Sequence, residues 1–158
     1  MGTIDYVKFP KDFIYINLKE HHDNENFVRL PLLGNVAAGL PIVADQNIEE
    51  YVSVPRTVIR NDMDGFLVKV KGESMIDANI QDGDLLICRI QPTAKNNDIV
   101  VAVINGEVTV KRFFHEGRRI RLQPENRKFK PIYVESDFIV NGKVVGLIRM
   151  NEENLLVE

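Results

Sequence analysis

Alternating hydrophobic and polar positions dominate the second half of the chain. Short runs rich in Val, Ile, Leu and Phe recur there, and each is bounded by a turn signal such as Asp–Gly–Asp or Asn–Gly. Asn105–Gly106 favours a tight hairpin turn. Strands are therefore predicted at 66–71, 85–90, 98–104, 107–114, 118–123, 138–140 and 143–149. Their number and spacing predict a compact, mostly antiparallel β fold, with 143–149 as a candidate edge for a second copy.

The first third of the chain has a different pattern. Residues 13–18 alternate and predict a short strand, which we expect to pair with residues 6–9, and the polar residues that follow predict a linker. Residues 30–44 are apolar but contain two glycines and two prolines. Such a mixture disfavours a long helix and a regular strand alike, so an extended, mobile segment is expected there. A short strand is predicted at 48–54.

Composition and charge narrow the classes of protein that fit. The length of 158 residues suits one domain, or one domain with a short arm. The net charge of −3 gives no overall basic field for nucleic acid or a membrane surface. A single cysteine, Cys88, excludes an internal disulfide and fits a reducing compartment. No apolar run approaches the roughly 18 residues of a membrane span, and no signal-peptide core is seen, so a cytoplasmic protein is expected.

Two residues stand out as candidate chemistry. Ser74 follows a predicted strand and Gly72, where it is expected to cap a helical turn beside outward-pointing backbone N–H groups. Those N–H groups could bind an oxyanion. The alternative is a serine that only caps the helical turn, because such a serine would occur in the same local sequence pattern. Lys111 lies in a half-buried strand, where lost hydration would lower its pKa and let it take a proton from serine. The alternative is a lysine that reaches solvent at the sheet edge.

A series of motifs then links these residues. The chain carries LPLLGNVAAG, VKGESMIDANIQDGDLLI, NDIVVA, GEVTVKRF, RLQPEN, PIYV and GKVVGLIR in that order, from about residue 30 to 149. The series resembles the self-cleaving C-terminal domain of LexA repressors, a family of Ser–Lys peptidases. The resemblance implies a compact antiparallel β domain of the LexA and signal-peptidase type, with a mobile cleavage loop. It also implies no cofactor, and His21–His22 lacks the further ligands that a metal site needs.

The resemblance implies a role for each site residue. Ser74 is expected to be the nucleophile and Lys111 its general base. The scissile bond is expected between Ala38 and Gly39. The other expected participants are the residues that fill small subsites, Val36 and Ala37, and the residues whose backbone N–H groups bind the oxyanion, Glu73 and Ser74.

The domain organisation departs from that of the family. LexA repressors carry an N-terminal winged helix-turn-helix that reads operator DNA, whereas about 30 residues precede the matching region here. Residues 1–29 are interpreted as an arm or linker that retains part of a DNA-binding wing, and residues 30–158 as the peptidase and dimerisation domain. We therefore expect a fragment or a shortened repressor, which binds operator DNA only if a complete winged helix-turn-helix is supplied.

Function and partners are implied in the same way. The resemblance implies a repressor of the SOS response to DNA damage that forms a homodimer through its C-terminal domain. It implies self-cleavage stimulated by a RecA filament on single-stranded DNA. The short arm keeps an alternative open, a UmuD-like accessory subunit of a mutagenic translesion DNA polymerase. The basic stretch from Lys111 to Lys130 is interpreted as a solvated hairpin face, with a RecA contact as a hypothesis.

Overall fold

The structure, a computed structural model, describes residues 26–149 and the backbone of residues 14–16. The described chain is nearly all β, as predicted, with short 3-10 helices at Asp45–Asn47 and Ile76–Ala78. The ten strands are β1 Ile14–Ile16, β2 Phe27–Leu33, β3 Ile48–Pro55, β4 Gly65–Lys69, β5 Leu85–Ile90, β6 Ile99–Ile104, β7 Glu107–Glu116, β8 Arg119–Gln123, β9 Ile132–Glu135 and β10 Gly142–Ile148. The predicted pairing with residues 6–9 and the predicted linker before residue 26 lie outside the described residues.

The strands form one sheet in the order β3-β2-β4-β5-β10-β6-β7-β8-β9, and β1 pairs with β10. Neighbouring strands are antiparallel except for the pairs β2–β4 and β1–β10. The strands predicted between residues 48 and 123 are confirmed. The turn between β6 and β7 is confirmed as well, because Asn105 and Gly106 both have the positive φ that a tight hairpin turn needs.

The sheet separates apolar cores, and its central strands contribute to both faces. Phe66 and Val68 of β4 belong to the largest core, whereas Leu67 between them packs in a second core on the opposite face. A strand buried on both faces is expected to be continuously apolar, which is the pattern of β4. Cys88 of β5 is fully buried in the largest core, and burial raises the pKa of its thiol. The cysteine is therefore the packing residue that its apolar neighbours predicted.

The prediction that residues 30–44 form no regular strand is wrong at its beginning. β2 runs to Leu33, and Leu30 and Leu32 are buried within the sheet. Pro31 is accommodated because β2 pairs with β4 only from Leu32 onward, so Pro31 has a strand neighbour on the β3 side alone. A missing N–H is tolerated where one side of a strand is unpaired. Residues 34–44 are irregular, as the sequence predicts.

The prediction that residues 143–149 form a sheet edge is also wrong. β10 pairs with β5 along its whole length, with β6 at Gly142 and Lys143, and with β1 at Gly146–Ile148. Residues 138–140 form no strand, so the predicted final hairpin is absent. β10 is almost continuously buried, which is typical of a central strand. The strands at the two ends of the described order are β3 and β9, and β1 lies beside β10 outside this order.

Candidate active site

The fold brings Ser74 and Lys111 together although they are 37 positions apart in the chain. Ser74 lies in the loop between β4 and β5, and Lys111 lies near the middle of β7. The Lys111 Nζ donates a hydrogen bond to the Ser74 Oγ at 3.3 Å. A serine hydroxyl in contact with an amine is the arrangement that an activated oxygen nucleophile requires.

The loop that carries Ser74 is shaped by its backbone. Gly72 has φ +85°, which a residue with a side chain rarely adopts, and its N–H donates to Asp82 Oδ1 at 2.6 Å across the loop. Met75, which is 1% exposed, anchors the loop in the largest core. The expected capping role of Ser74 is wrong, because the 3-10 helix begins after Met75 and has no side-chain cap. The hydroxyl is instead directed to Lys111.

Lys111 is buried in a setting that disfavours its charge. The residue is 8% exposed, and its neighbour on β6 is the fully buried Val100. Its Nζ also donates to Thr109 Oγ1 at 2.7 Å, and within residues 26–149 it forms no ion pair with a carboxylate. Burial therefore lowers the pKa of the Lys111 ammonium below its ordinary value of 10.5.

Thr109 is a further site residue, and its role was only partly predictable from the sequence. Strand alternation places Thr109 on the same face as Lys111, but it does not predict a hydrogen bond between the two side chains. The bond fixes the direction of the amine, because the Nζ contacts the oxygens of both Thr109 and Ser74.

A cavity of about 670 Å³ opens beside this pair. Its walls come from the loop after β2, from β4 and the loop that follows, and from the hairpin of β6 and β7. Val36, an expected subsite residue, lines the cavity together with Ser74 and Lys111. Ala38 and Gly39 are exposed and do not line it. The structure therefore places one expected subsite residue in the same cavity as Ser74 and Lys111, and it leaves the expected scissile bond at the surface.

One buried side chain holds the loop that contains this bond. Asn47, which is 1% exposed, accepts a hydrogen bond from the Ala37 N–H at 2.8 Å through its Oδ1. Its Nδ2 donates to the carbonyls of Pro41 and Ile42 at 3.2 and 3.0 Å. The two ends of the turn at Ala38–Gly39 are thus tied to the same amide group.

Replacing Asn47 tests this arrangement. In Asn47→Ala, we expect the Ala37 amide to exchange its hydrogen about five-fold faster, since one hydrogen bond contributes on the order of 1 kcal/mol. Asn47→Asp keeps the oxygen that accepts from Ala37 and should retain much of the protection. Asn61→Ala, which removes an exposed side-chain hydrogen bond to Asp64, is the control. Equal exchange at Ala37 in all three variants and in the wild-type chain would contradict the role of Asn47.

The peptide groups on both sides of Ser74 are held by the loop after β8. The Glu125 N–H donates to the Ser74 carbonyl at 2.8 Å, and Asn126 Nδ2 donates to the Glu73 carbonyl at 2.8 Å. These residues belong to the RLQPEN motif, to which the sequence analysis assigns no role. The presence of this motif was the available sign that these residues matter. The hydrogen bond itself joins residues 53 positions apart, and local sequence pattern does not predict such a contact.

The basic stretch on β7 and β8 shares its charge with carboxylates. Arg121 pairs with Glu116 at 2.8 Å, and this hydrogen bond lowers the pKa of the Glu116 carboxyl. Arg112 lies 3.6 Å from Glu125. Arg119 stacks on the ring of Tyr133 at 3.9 Å. These contacts agree with the interpretation of a solvated hairpin face.

The described part of the chain contains neither a candidate metal-binding cluster nor a helix that could span a membrane. Among residues 26–149 there is no group of three or more His, Cys, Asp or Glu residues that could hold a metal ion. No helix of the described residues is long and apolar enough to cross a bilayer.

Comparison with known proteins agrees with the geometry. The Peptidase S24-like family model matches residues 31–145. A LexA repressor of Caldicellulosiruptor saccharolyticus is 52% identical over 126 residues, which are 80% of this chain and 61% of that protein. A LexA repressor of Clostridium novyi is 49% identical over 84% of this chain and 65% of its own length, and one of Clostridium kluyveri is 44% identical over 87% and 67%. This chain thus spans about three-fifths to two-thirds of the length of these relatives. The chain belongs to the S24-like peptidase family, as a relative of the LexA repressors.

Proposed function

We propose that this chain is the self-cleaving part of a LexA-like repressor of the SOS response, and that it cuts its own Ala38–Gly39 bond with Ser74 and Lys111. The observation that carries the proposal is the 3.3 Å contact between Ser74 Oγ and the buried Lys111 Nζ at the cavity wall. The family match supports a peptidase, and the named relatives favour a repressor over an accessory subunit of a DNA polymerase.

The reaction begins with neutral Lys111. Its amine takes the hydroxyl proton while Ser74 Oγ attacks the carbonyl carbon of Ala38. The backbone N–H groups of Ser74 and Glu73 stabilise the resulting oxyanion. When the intermediate collapses, the bond to the Gly39 nitrogen breaks, and this nitrogen takes the proton from the Lys111 ammonium. Water then hydrolyses the ester between Ser74 and Ala38, again with Lys111 as the base.

The scissile bond must enter the cavity before it can react, because Ala38 and Gly39 are exposed in this structure. Val36 already lines the cavity, so docking requires the residues that follow Val36 to move toward Ser74. Val36 and Ala37 then occupy the small subsites. A docked segment also excludes water from Lys111, which favours the neutral amine. The loop at residues 34–47 therefore alternates between an undocked and a docked state.

Partners act through this equilibrium. A RecA filament on single-stranded DNA stimulates cleavage only if it binds the docked state better than the undocked state.

We place residues 1–29 as an arm and residues 30–158 as the peptidase domain, which also forms the homodimer. Operator binding belongs to a complete winged helix-turn-helix, and the cytoplasm is the compartment in which such a protein meets DNA.

Self-cleavage of the purified chain tests the proposal. We expect intact-mass analysis to detect two products, residues 1–38 and residues 39–158, at a rate that rises with pH and is independent of protein concentration. Added RecA filaments should accelerate the reaction near neutral pH. A wild-type chain that stays intact at every pH, with and without the filaments, would refute the proposed function.

Two serine variants identify the nucleophile. Ser74→Ala should give no products under any of these conditions. Ser136→Ala changes an exposed serine in a turn and should cleave at the wild-type rate. Equal cleavage in Ser74→Ala and wild type would assign the cut to another protease.

A further inference from the structure

The loop after β8 fastens the nucleophile loop at three points. The Glu125 N–H donates to the Ser74 carbonyl, and the Glu125 carbonyl accepts from the Asp77 N–H, both at 2.8 Å. Asn126 Nδ2 donates to the Glu73 carbonyl, also at 2.8 Å. Two of these bonds are backbone to backbone and do not depend on side-chain identity. The hydrogen bond from Asn126 is therefore the only one of the three that depends on a particular side chain.

The Asn126 contact sets the direction of one peptide group. The Glu73 carbonyl and the Ser74 N–H belong to the same planar trans peptide, so the two groups point in opposite directions. Because Asn126 holds the carbonyl from the side of the β8–β9 loop, the Ser74 N–H points away from that loop. Within residues 26–149 the Ser74 N–H has no hydrogen-bond acceptor. Ser74 itself lines the cavity.

The amide of Asn126 is itself oriented. Its Oδ1 accepts a hydrogen bond from the Lys128 N–H at 2.9 Å, which leaves the Nδ2 to face Glu73. The Glu73 carbonyl also accepts from the Ile76 N–H at 3.2 Å, but that bond closes a local turn and moves with it. Of the two donors, Asn126 is the one that fixes the peptide to another part of the sheet.

We propose that Asn126 is a positioning residue for the cleavage reaction, which aims the Ser74 N–H at the oxyanion that forms on the Ala38 carbonyl. This inference rests on the proposed function. Asn126 touches neither the scissile bond nor the dyad, and it acts through the peptide group between Glu73 and Ser74. Pre-oriented donors stabilise developing charge because they need no reorganisation during the reaction.

A role in oxyanion positioning has its own kinetic signature. Lys111 donates hydrogen bonds to Thr109 and Ser74, and within residues 26–149 no hydrogen bond joins it to Asn126. Loss of the Asn126 donor should thus lower the plateau rate at high pH. The pH of half-maximal rate should stay where it is in the wild-type chain, because the base is unchanged. A residue that only braces the fold would instead lower thermal stability and cleavage together.

Asn126→Asp is the primary test, with self-cleavage of the full chain measured from neutral to alkaline pH. The substitution keeps an oxygen for the Lys128 N–H and removes the donor to Glu73. We expect the plateau rate to fall about 10- to 100-fold, since small misplacements in an active site have effects of this size. Asn126→Ala repeats the test without an added charge. The melting temperature and the pH midpoint should change little in either variant.

Two further variants control the experiment. Asn96→Asp makes the same chemical change where the side-chain oxygen accepts from the His115 N–H at 2.7 Å, and it should cleave like wild type. Asn126→Gln restores an amide donor and should recover part of the lost rate. A wild-type plateau in Asn126→Asp, a shifted pH midpoint in Asn126→Ala, or a parallel loss of melting temperature would each overturn the positioning role. A wild-type chain that never cleaves removes the proposed function, and this role with it.

Discussion

Lys111→Met is expected to slow self-cleavage by orders of magnitude and, at neutral pH, to make the folded domain more stable. The rate should fall by about 10²- to 10⁴-fold, because the variant has no general base. Stability should rise because methionine fills a similar space without a charge. Lys111 is 8% exposed, and no carboxylate of the described residues pairs with it, so no opposite charge offsets the cost of removing its ammonium group from water.

The pH dependence of this stability difference has a defined sign. Burial lowers the pKa of Lys111 in the folded state below the 10.5 of an unfolded lysine. Between these two pKa values the unfolded chain binds more protons than the folded chain, so wild-type stability contributed by this group rises with pH. The advantage of Lys111→Met should be largest below the folded pKa and should shrink as pH approaches 10.5. Urea unfolding at neutral and alkaline pH measures it.

The same lowered pKa shapes the wild-type rate profile. Cleavage should rise with pH as Lys111 loses its proton, and the pH of half-maximal rate should lie below 10.5. Lys95→Met removes an exposed lysine and is the matched control, with unchanged cleavage and little change in stability. A Lys111→Met chain that cleaves with the wild-type profile, or that is less stable than wild type at neutral pH, would contradict this account of the base.

Arg149→Met is expected to destabilise the domain by about 3–5 kcal/mol, since it leaves a buried carboxylate without its partner. Arg149 and Asp84 are 3% and 2% exposed, and two hydrogen bonds of 2.9 and 2.8 Å join the guanidinium to the carboxylate. Arg149 also donates to the Asn79 carbonyl at 2.8 Å. The pair therefore ties the end of β10 to the loop that follows Ser74. Urea unfolding at neutral pH measures the loss.

Two further variants test whether the loss of stability comes from the unpaired buried charge of Asp84. Lys143→Met breaks a partly exposed pair with Asp98 at 3.4 Å and should change the free energy of unfolding by only about 1 kcal/mol. The double variant Asp84→Leu with Arg149→Met removes both charges and should recover much of the loss. If Arg149→Met proves no more disruptive than Lys143→Met, the ion pair is not the structural tie that its burial indicates.

The sequence predicts where strands occur better than it predicts which strands lie next to each other in the sheet. Alternation and turn residues identify β5, β6 and β7 because each strand is stabilised by its own local pattern. Strand order depends on contacts between distant segments, which local pattern does not encode. The sequence therefore placed β10 at an edge, although Val144, Val145 and Leu147 are buried in the middle of the sheet. Its continuous apolar run was the available signal.

The candidate site divides in a similar way. Ser74 and Lys111 were predicted because their motifs carry the resemblance to a family, and the structure places them in contact. Asn47 and Asn126 were not predicted. Each asparagine acts through hydrogen bonds to backbone groups elsewhere in the chain, and such bonds depend on how loops meet in the folded state. An asparagine in a loop carries no sequence mark that distinguishes these roles from an ordinary turn.

Because of the position of β2, cleavage of the peptide bond and dissociation of the two fragments are separate events. β2 lies on the amino side of Ala38–Gly39, yet it pairs with β3 from Phe27 to Leu33 and contributes Leu30, fully buried, to a core. Scission cuts the covalent link between β2 and β3 but none of their hydrogen bonds. The immediate product is therefore a noncovalent complex of two chains that retains the sheet. Release of the amino-terminal piece requires β2 to leave the sheet, a local unfolding event whose rate is set by packing rather than by Ser74 and Lys111.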